Sequence, residues 1–183
     1  MTPTRDRDTV RLAVPKGRMY EGVATLLADA GLRITQTARS YRPYITLAHA
    51  EVKILKPQTI VEMLHLGSRD VGFAGADWVA ELDGDLVELL DTGLDPVRVV
   101  AAAPAGNLVG GKLPARRLVV ASEYVRRAGR LIAVNRLDAE LVRSYGATEV
   151  FPPEDADLIV DNTATGDTLS ATDLVAVYEL MSS

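Results

Sequence analysis

Short, almost wholly apolar runs separated by segments of helical period set the first limit on what this chain can become. Val97 to Ala103 reads VRVVAAA, Leu118 to Ala121 LVVA and Leu158 to Asp161 LIVD, each too continuous for a strand with one wet face. Between such runs lie segments such as Met19 to Ala30, where Val23, Leu26, Leu27 and Ala30 share one helical face and Gly31 is the stop. Strands buried on both faces and alternating with helices belong to the α/β class.

The same logic extends along the chain. Arg11 to Val14 is the first expected strand, and Tyr44 to Ala48 and Val52 to Leu55, flanking "HAE", suit a hairpin or tight turn. Pro57 suits the first residue of a helix reaching about Leu66 and ended by Gly67. A strand at Val71 to Ala74 leads through Gly75 into a short helix opened by Asp77. "DLVELLDTGLDPVRVVAAAP" reads as two strand-like runs separated by a Gly/Asp/Pro loop. Then come a helix at Glu123 to Val134, a strand at Glu140 to Arg143 and a last strand from about Val175 to Leu180. The repeat of the β-α-β pattern favours two α/β lobes, the first over 1–92 and the second over 93–173, with the end, about 174–183, returning to the first.

Composition removes several function classes. A net charge of −5 provides no general basic field for nucleic acid or an anionic membrane, so any polyanion must meet a local pocket. With no cysteine there is no disulfide, thiolate nucleophile or zinc-thiolate site, and His49 and His65 are too few for a His-rich metal centre. The N-terminus alternates acids and bases without an apolar signal region, and no apolar run reaches about 18 residues. A cytoplasmic protein is the expectation.

Three stretches could carry chemistry. Pro15-Lys16-Gly17-Arg18 lies between a strand and a helix, where free N–H groups and two cations suit a pyrophosphate, although a solvated basic turn would look the same. Gly72-Phe73-Ala74-Gly75-Ala76-Asp77-Trp78 is a second such junction, with small residues for close approach and an Asp77 that serves equally as helix cap or ligand group. The third is "DLIVDNTATGDTL", where Thr165, Gly166 and Thr168 offer hydroxyls and a pliant backbone for a terminal phosphate. No G-x-x-x-x-G-K-[ST] is present, which disfavours P-loop hydrolysis chemistry. An acid about 5 Å from a phosphate charge costs roughly 3 kcal/mol at an effective dielectric of ~20, so Asp161 suits sugar hydroxyls better than the phosphate. A plain Asx turn after a strand is the simpler alternative.

Taken together, "LAVPKGRMYEGVATLLADAGL", "SRDVGFAGADWVAE" and "DADLIVDNTATGDTL" resemble, in order and spacing, the signature stretches of ATP phosphoribosyltransferase, the first enzyme of histidine biosynthesis. "SYGATEVFPPEDAD" resembles the family's lead into its phosphoribosyl-pyrophosphate loop. The resemblance implies two lobes, each around a central mixed or parallel sheet, like type II periplasmic binding proteins, with the active site in the cleft. It implies transfer of phosphoribosyl from phosphoribosyl pyrophosphate to N1 of ATP with Mg²⁺ required. A chain this short looks like the short form, which pairs with a histidyl-tRNA-synthetase-like regulatory subunit in a hetero-oligomer.

Residue by residue, the resemblance assigns Asp161 to the ribose hydroxyls, Thr165, Gly166, Asp167, Thr168 and Leu169 to the 5-phosphate loop, and Lys16 and Arg18 to the pyrophosphate. Arg39 in "TARSY" resembles a substrate-cleft arginine, and Lys56 stands where the family usually has arginine, keeping the charge without the bidentate fork. Gly75 and Asp77 complete the expected substrate-binding set. Asp167 adds a negative charge inside the loop, and Thr172-Asp173 replaces an expected Asn-Gly. A non-catalytic module of the same fold, sensing a phosphorylated sugar or nucleotide, is the alternative these departures raise.

Overall fold

The computed structural model describes residues 8–35, 41–164, 169 and 172–183. The chain divides into two compact units, Met1–Asp95 and Pro96–Ser183, so the break falls three residues later than expected. The class is α/β, as the runs and helical periods indicate.

In the first unit, β1 (Val10–Pro15) leads into α1 (Met19–Asp29), and β2 (Ile34–Thr35) and β3 (Tyr44–Ile45) follow. After β4 (Ala50–Leu55) come α2 (Pro57–His65), β5 (Val71–Gly72) and α3 (Ala76–Leu82). The main sheet has the order β4-β1-β5 and is parallel throughout, with Pro15 level with Leu55 and Ala13 with Gly72. One face buries Leu12, Val14 and Val52 against Val23 and Leu27 of α1. On the other face α2 packs so closely that a Cβ on Gly72 would stand 2.7 Å from Ile60 Cγ2.

Of the two expectations for "HAE", the tight turn forms and the hairpin does not. β3 pairs antiparallel with β2, whereas β4 joins β1 in parallel, and His49 turns the chain between them with φ +53°. Parallel pairing needs a crossover, and α1 supplies it. The strand-like run before the Gly/Asp/Pro loop also fails to become a strand, since residues 84–97 carry no regular structure. Acids at 85 and 88 interrupt it, and Val87 and Leu89 are strongly exposed rather than packed.

The second unit contains β6 (Arg98–Pro104), β7 (Leu118–Ser122), α4 (Val125–Asn135), β8 (Ala139–Arg143), β9 (Leu158–Thr163) and β10 (Leu174–Ser182). Its sheet is mixed, in the order β10-β6-β9-β7-β8, with β7, β8 and β9 parallel and β6 antiparallel to both neighbours. β6 is the buried strand that its composition demands, and it needs ladder partners on both edges. β10 fills one of them from Leu174 opposite Pro104 to Ser182 opposite Arg98, and reciprocal Val97–Ser183 backbone bonds of 3.1 and 2.9 Å close the ladder. The C-terminal stretch, expected to return to the first unit, therefore belongs to the second.

Candidate active site

Within the first unit the parallel sheet brings three strand-to-helix junctions to one edge. Lys16-Gly17-Arg18 follows β1, Lys56 follows β4, and residues 73–75 carry β5 into α3. The junctions are tied by backbone bonds from Lys16 N to Leu55 O (2.8 Å) and from Phe73 N to Ala13 O (3.1 Å). Gly17 turns the chain with φ +88°, a conformation that suits glycine. Lys16, Arg18 and Lys56 are exposed there beside the opening turns of α1 and α2. Cations together with converging helix N-termini favour an anion.

Two details alter the expected roles. Arg18 is already paired, with its Nε 2.6 Å from Asp95 Oδ1 and the side chain 55% exposed, so an anion there would compete with Asp95. Asp77 is buried on the second residue of α3 and folds back over Gly75, so closely that a Cβ on that glycine would collide with its Oδ1. Gly75 is thus required for the turn itself, and Trp78 beside it is a core residue.

The Asp95 ion pair gives a test of the anion edge. Asp95→Asn removes the charge at a position with φ +51°, a backbone region asparagine tolerates. Affinity for inorganic pyrophosphate by calorimetry should rise about two- to fivefold, the worth of an exposed ion pair. An unchanged affinity would place Arg18 outside the anion-binding edge.

The second unit repeats the arrangement with different chemistry. The carboxyl ends of β7, β8 and β9 share an edge, placing Glu123-Tyr124, Ser144 to Thr148, and Asp161 to Ala164 in one neighbourhood. Burial pushes the Asp161 carboxyl up from 3.8 to about 6, and Glu149 and Glu123 push the same way against bonds from the Asn162 N–H and the Thr148 side chain. Asn162 N donates to Asp161 Oδ1 at 2.7 Å, and Asn162 Nδ2 donates to the buried Tyr124 hydroxyl at 2.7 Å. Ser122 Oγ donates to Val160 O at 2.6 Å and accepts from Tyr124 N at 2.8 Å, while Ser144 and Thr148 hydroxyls share a 2.8 Å bond.

A carboxylate already short of water and facing other acids is a poor neighbour for phosphate. It is a good acceptor for hydroxyls, whose O–H donors favour its ionised form without adding charge. Leu169 lies in the hydrophobic core with Val100, Ala102, Ile159 and Leu174, so its side chain anchors the end of the loop. Arg39, Thr165, Gly166, Asp167 and Thr168 lie outside the described residues.

Sequence reasoning missed Asp95, Glu123, Thr148, Glu149 and Asn162. Ser122-Glu123-Tyr124 offered a signal, since it is one more strand end entering a helix. Among the described residues no group of three His, Asp or Glu side chains is arranged to hold a metal ion.

Comparison with known proteins places this architecture. The family model HisG, ATP phosphoribosyltransferase, matches residues 56–183. The chain is 35% identical over 182 residues to the ATP phosphoribosyltransferase of Prosthecochloris aestuarii, covering 97% of this chain and 62% of that protein. It is 34% identical over 185 residues to that of Chlorobium luteolum, covering 98% and 63%. The chain therefore spans under two thirds of the length of these curated relatives. Among solved structures, the ATP phosphoribosyl transferase (HisG:HisZ) complex from Thermotoga maritima superposes with a TM-score of 0.81 at 26% identity, over 95% of this chain and 84% of that one. An ancestral arginine-binding protein bound to arginine shares the fold at a TM-score of 0.53 and 12% identity, over 98% of this chain and 82% of that one. The fold is thus of the type II periplasmic-binding-protein kind, and with most of its length matched by the family model the chain belongs to the ATP phosphoribosyltransferase family.

Proposed function

We propose that this chain catalyses transfer of the 5-phosphoribosyl group from phosphoribosyl pyrophosphate to N1 of ATP, releasing pyrophosphate, as the first step of histidine biosynthesis. The observation that carries the reading is the family match over 56–183, a span that contains the β9 strand end and the phosphoribosyl-type loop after it. Asp161 accepts the ribose hydroxyls, and residues 165–169 hold the 5-phosphate through hydroxyl and backbone donors. Lys16 and Arg18 stabilise the departing pyrophosphate, with Lys56 adding charge at the same sheet edge. Arg39, Gly75 and Asp77 complete the substrate-binding set, the last by shaping the turn rather than by reaching a ligand.

No nucleophilic side chain is required, because adenine N1 supplies the electron pair that displaces pyrophosphate at C1. The protein's task is to hold the two substrates in line and to stabilise charge that gathers on the leaving group. Arg18 contributes in proportion to how far it exchanges Asp95 for pyrophosphate oxygens. Mg²⁺, carried on the substrate's phosphates, would supply further neutralisation of the charge that gathers on the leaving group.

The partner in this reading is a histidyl-tRNA-synthetase-like regulatory subunit, a pairing supported by the likeness to the HisG:HisZ complex of Thermotoga maritima. The cytoplasm is the compartment where both substrates are available in this reading, and among the described residues no helix is long and apolar enough to cross a membrane. The test is formation of phosphoribosyl-ATP from labelled phosphoribosyl pyrophosphate and ATP with Mg²⁺, alone and with the regulatory subunit. Product is expected with the subunit present, and its absence under both conditions would remove the catalytic reading.

A further inference from the structure

The hydroxyls beside Asp161 have a direction that the bond lengths alone leave open. Ser144 lies just past the end of β8 and Thr148 opens a single helical turn, Thr148–Val150. Their hydroxyls share a 2.8 Å bond, although only 2% and 1% of the two residues are exposed. Either oxygen could donate in isolation. An ionised carboxylate can only accept, so the Thr148 hydroxyl must give its one proton to Asp161 and accept that of Ser144 in turn. Donation therefore runs from Ser144 to Thr148 to Asp161.

The backbone around the pair holds it in place. Ser144 N donates to Ser122 O at 3.1 Å, which ties the end of β8 to β7. Gly146 and Ala147 then turn the chain with φ +124° and +49°, and alanine in the left-handed region costs roughly 1 kcal/mol or more. Such a conformation persists only where its surroundings enforce it, and its effect is to set the Thr148 turn against β9.

We infer that Ser144 and Thr148 are positioning residues, a buried hydroxyl pair that aims the Asp161 carboxylate and keeps it an acceptor for the vicinal hydroxyls of a bound ribose. The inference rests on the proposed reading of Asp161 as the group that accepts those hydroxyls. The pair acts through Asp161 and not on the substrate itself. Its surroundings show why such support matters. Burial opposes the carboxylate's charge, Glu123 from the β7–α4 junction and Glu149 from the same turn as Thr148 repel it, and Val100, level with it on β6, is apolar. The Asn162 N–H, 2.7 Å from Oδ1, is the second donor beside Thr148. Hydrogen bonds to the ionised form favour that form, and one fed by a further hydroxyl is polarised by it.

Thr148→Val removes the hydroxyl with little change of shape, and Thr148→Ser restores it. In ligand-free protein the Asp161 carboxyl, followed by ¹³C NMR, should titrate near 6 in the wild type. Its midpoint should lie about one pH unit higher in the valine variant and within about 0.3 unit of wild type in the serine variant. By calorimetry at pH 7 the valine variant should bind phosphoribosyl pyrophosphate about five- to tenfold more weakly, and the serine variant within about twofold of wild type. Ser144→Ala, one bond further from the carboxyl, should move both readouts the same way by about half as much, which keeps the test decisive if the valine variant does not fold. A midpoint that neither Thr148→Val nor Ser144→Ala moves would overturn the pair's hold on Asp161. A moved midpoint with unchanged affinity for phosphoribosyl pyrophosphate would overturn its bearing on the ribose. A wild-type protein that binds no phosphoribosyl pyrophosphate would instead remove the reading of Asp161 on which the inference rests, and the ligand-free titration keeps the two failures apart.

Discussion

Asp161→Asn is expected to stabilise the protein above pH 6 while crippling its affinity for phosphoribosyl pyrophosphate. The carboxyl titrates near 6 in the folded chain against 3.8 for an ordinary aspartate, with burial as the leading cause. A folded-state pKa above the unfolded one means that the native protein binds this proton more tightly. Stability contributed by the group therefore falls as pH rises from about 4 to 6, and above that window the ionised carboxylate costs about 3 kcal/mol. Asparagine keeps the oxygen that accepts from Asn162 N and removes the charge facing Glu123 and Glu149. Urea unfolding at pH 8 should show a gain of roughly 2–3 kcal/mol, shrinking toward zero near pH 4. The same carboxylate is the one proposed to accept the ribose hydroxyls.

Gly72→Val should produce the largest loss of stability. The new side chain would begin at a Cβ 2.7 Å from Ile60 Cγ2 and 3.1 Å from Leu64 Cδ1, both on a helix packed against β5. Ile60 is fully buried and has nowhere to retreat. Overpacking of this kind costs about 3 kcal/mol, and α2 must shift or β5 must pull away from β1. Ile60→Ala is destabilising by itself, yet combining it with Gly72→Val should cost less than the sum of the two, because the clash and the cavity offset each other. Additive losses by urea denaturation would show that the glycine serves some purpose other than helix–strand approach. Because Lys56 precedes α2 and Gly75 follows β5, this packing also sets the spacing of the candidate anion edge.

What the sequence made legible was local. β1, β7 and β9 each hold a run of three or four apolar residues, LAV, LVVA and LIV, and α1 carries its own stop in Gly31 with φ +81°, so each could be placed within a residue or two. What escaped was partner choice over long separations. Nothing in Tyr44 to Leu55 says that β4 will pair with a strand some 40 residues earlier rather than with its neighbour. The apolar Val87, Leu89 and Leu90 read as a strand, although no ladder receives them among the described residues. The C-terminal strand was expected to return to the first unit, yet β6 lacked a partner on one edge and β10 supplied it.

The candidate site divides the same way. Its strand-end positions could be read from strand, turn and helix signals at Lys16, Lys56, Gly75 and Asp161. Its electrostatics could not, because Arg18 meets Asp95 from 77 residues away and Asp161 meets Glu123 and Glu149 from other strand ends. The acid that looked misplaced beside a phosphate loop is one of a group of acids, and that grouping is why the proposed reading gives it neutral hydroxyls as ligand.

Calorimetric titration of phosphoribosyl pyrophosphate and of ATP into the wild-type and Asp161→Asn proteins tests this assignment most directly. Losing a charged acceptor for sugar hydroxyls should weaken phosphoribosyl pyrophosphate by roughly 10- to 100-fold and leave ATP within about twofold of the wild type. Equal losses for both ligands, or none for either, would contradict Asp161 as the reader of the ribose.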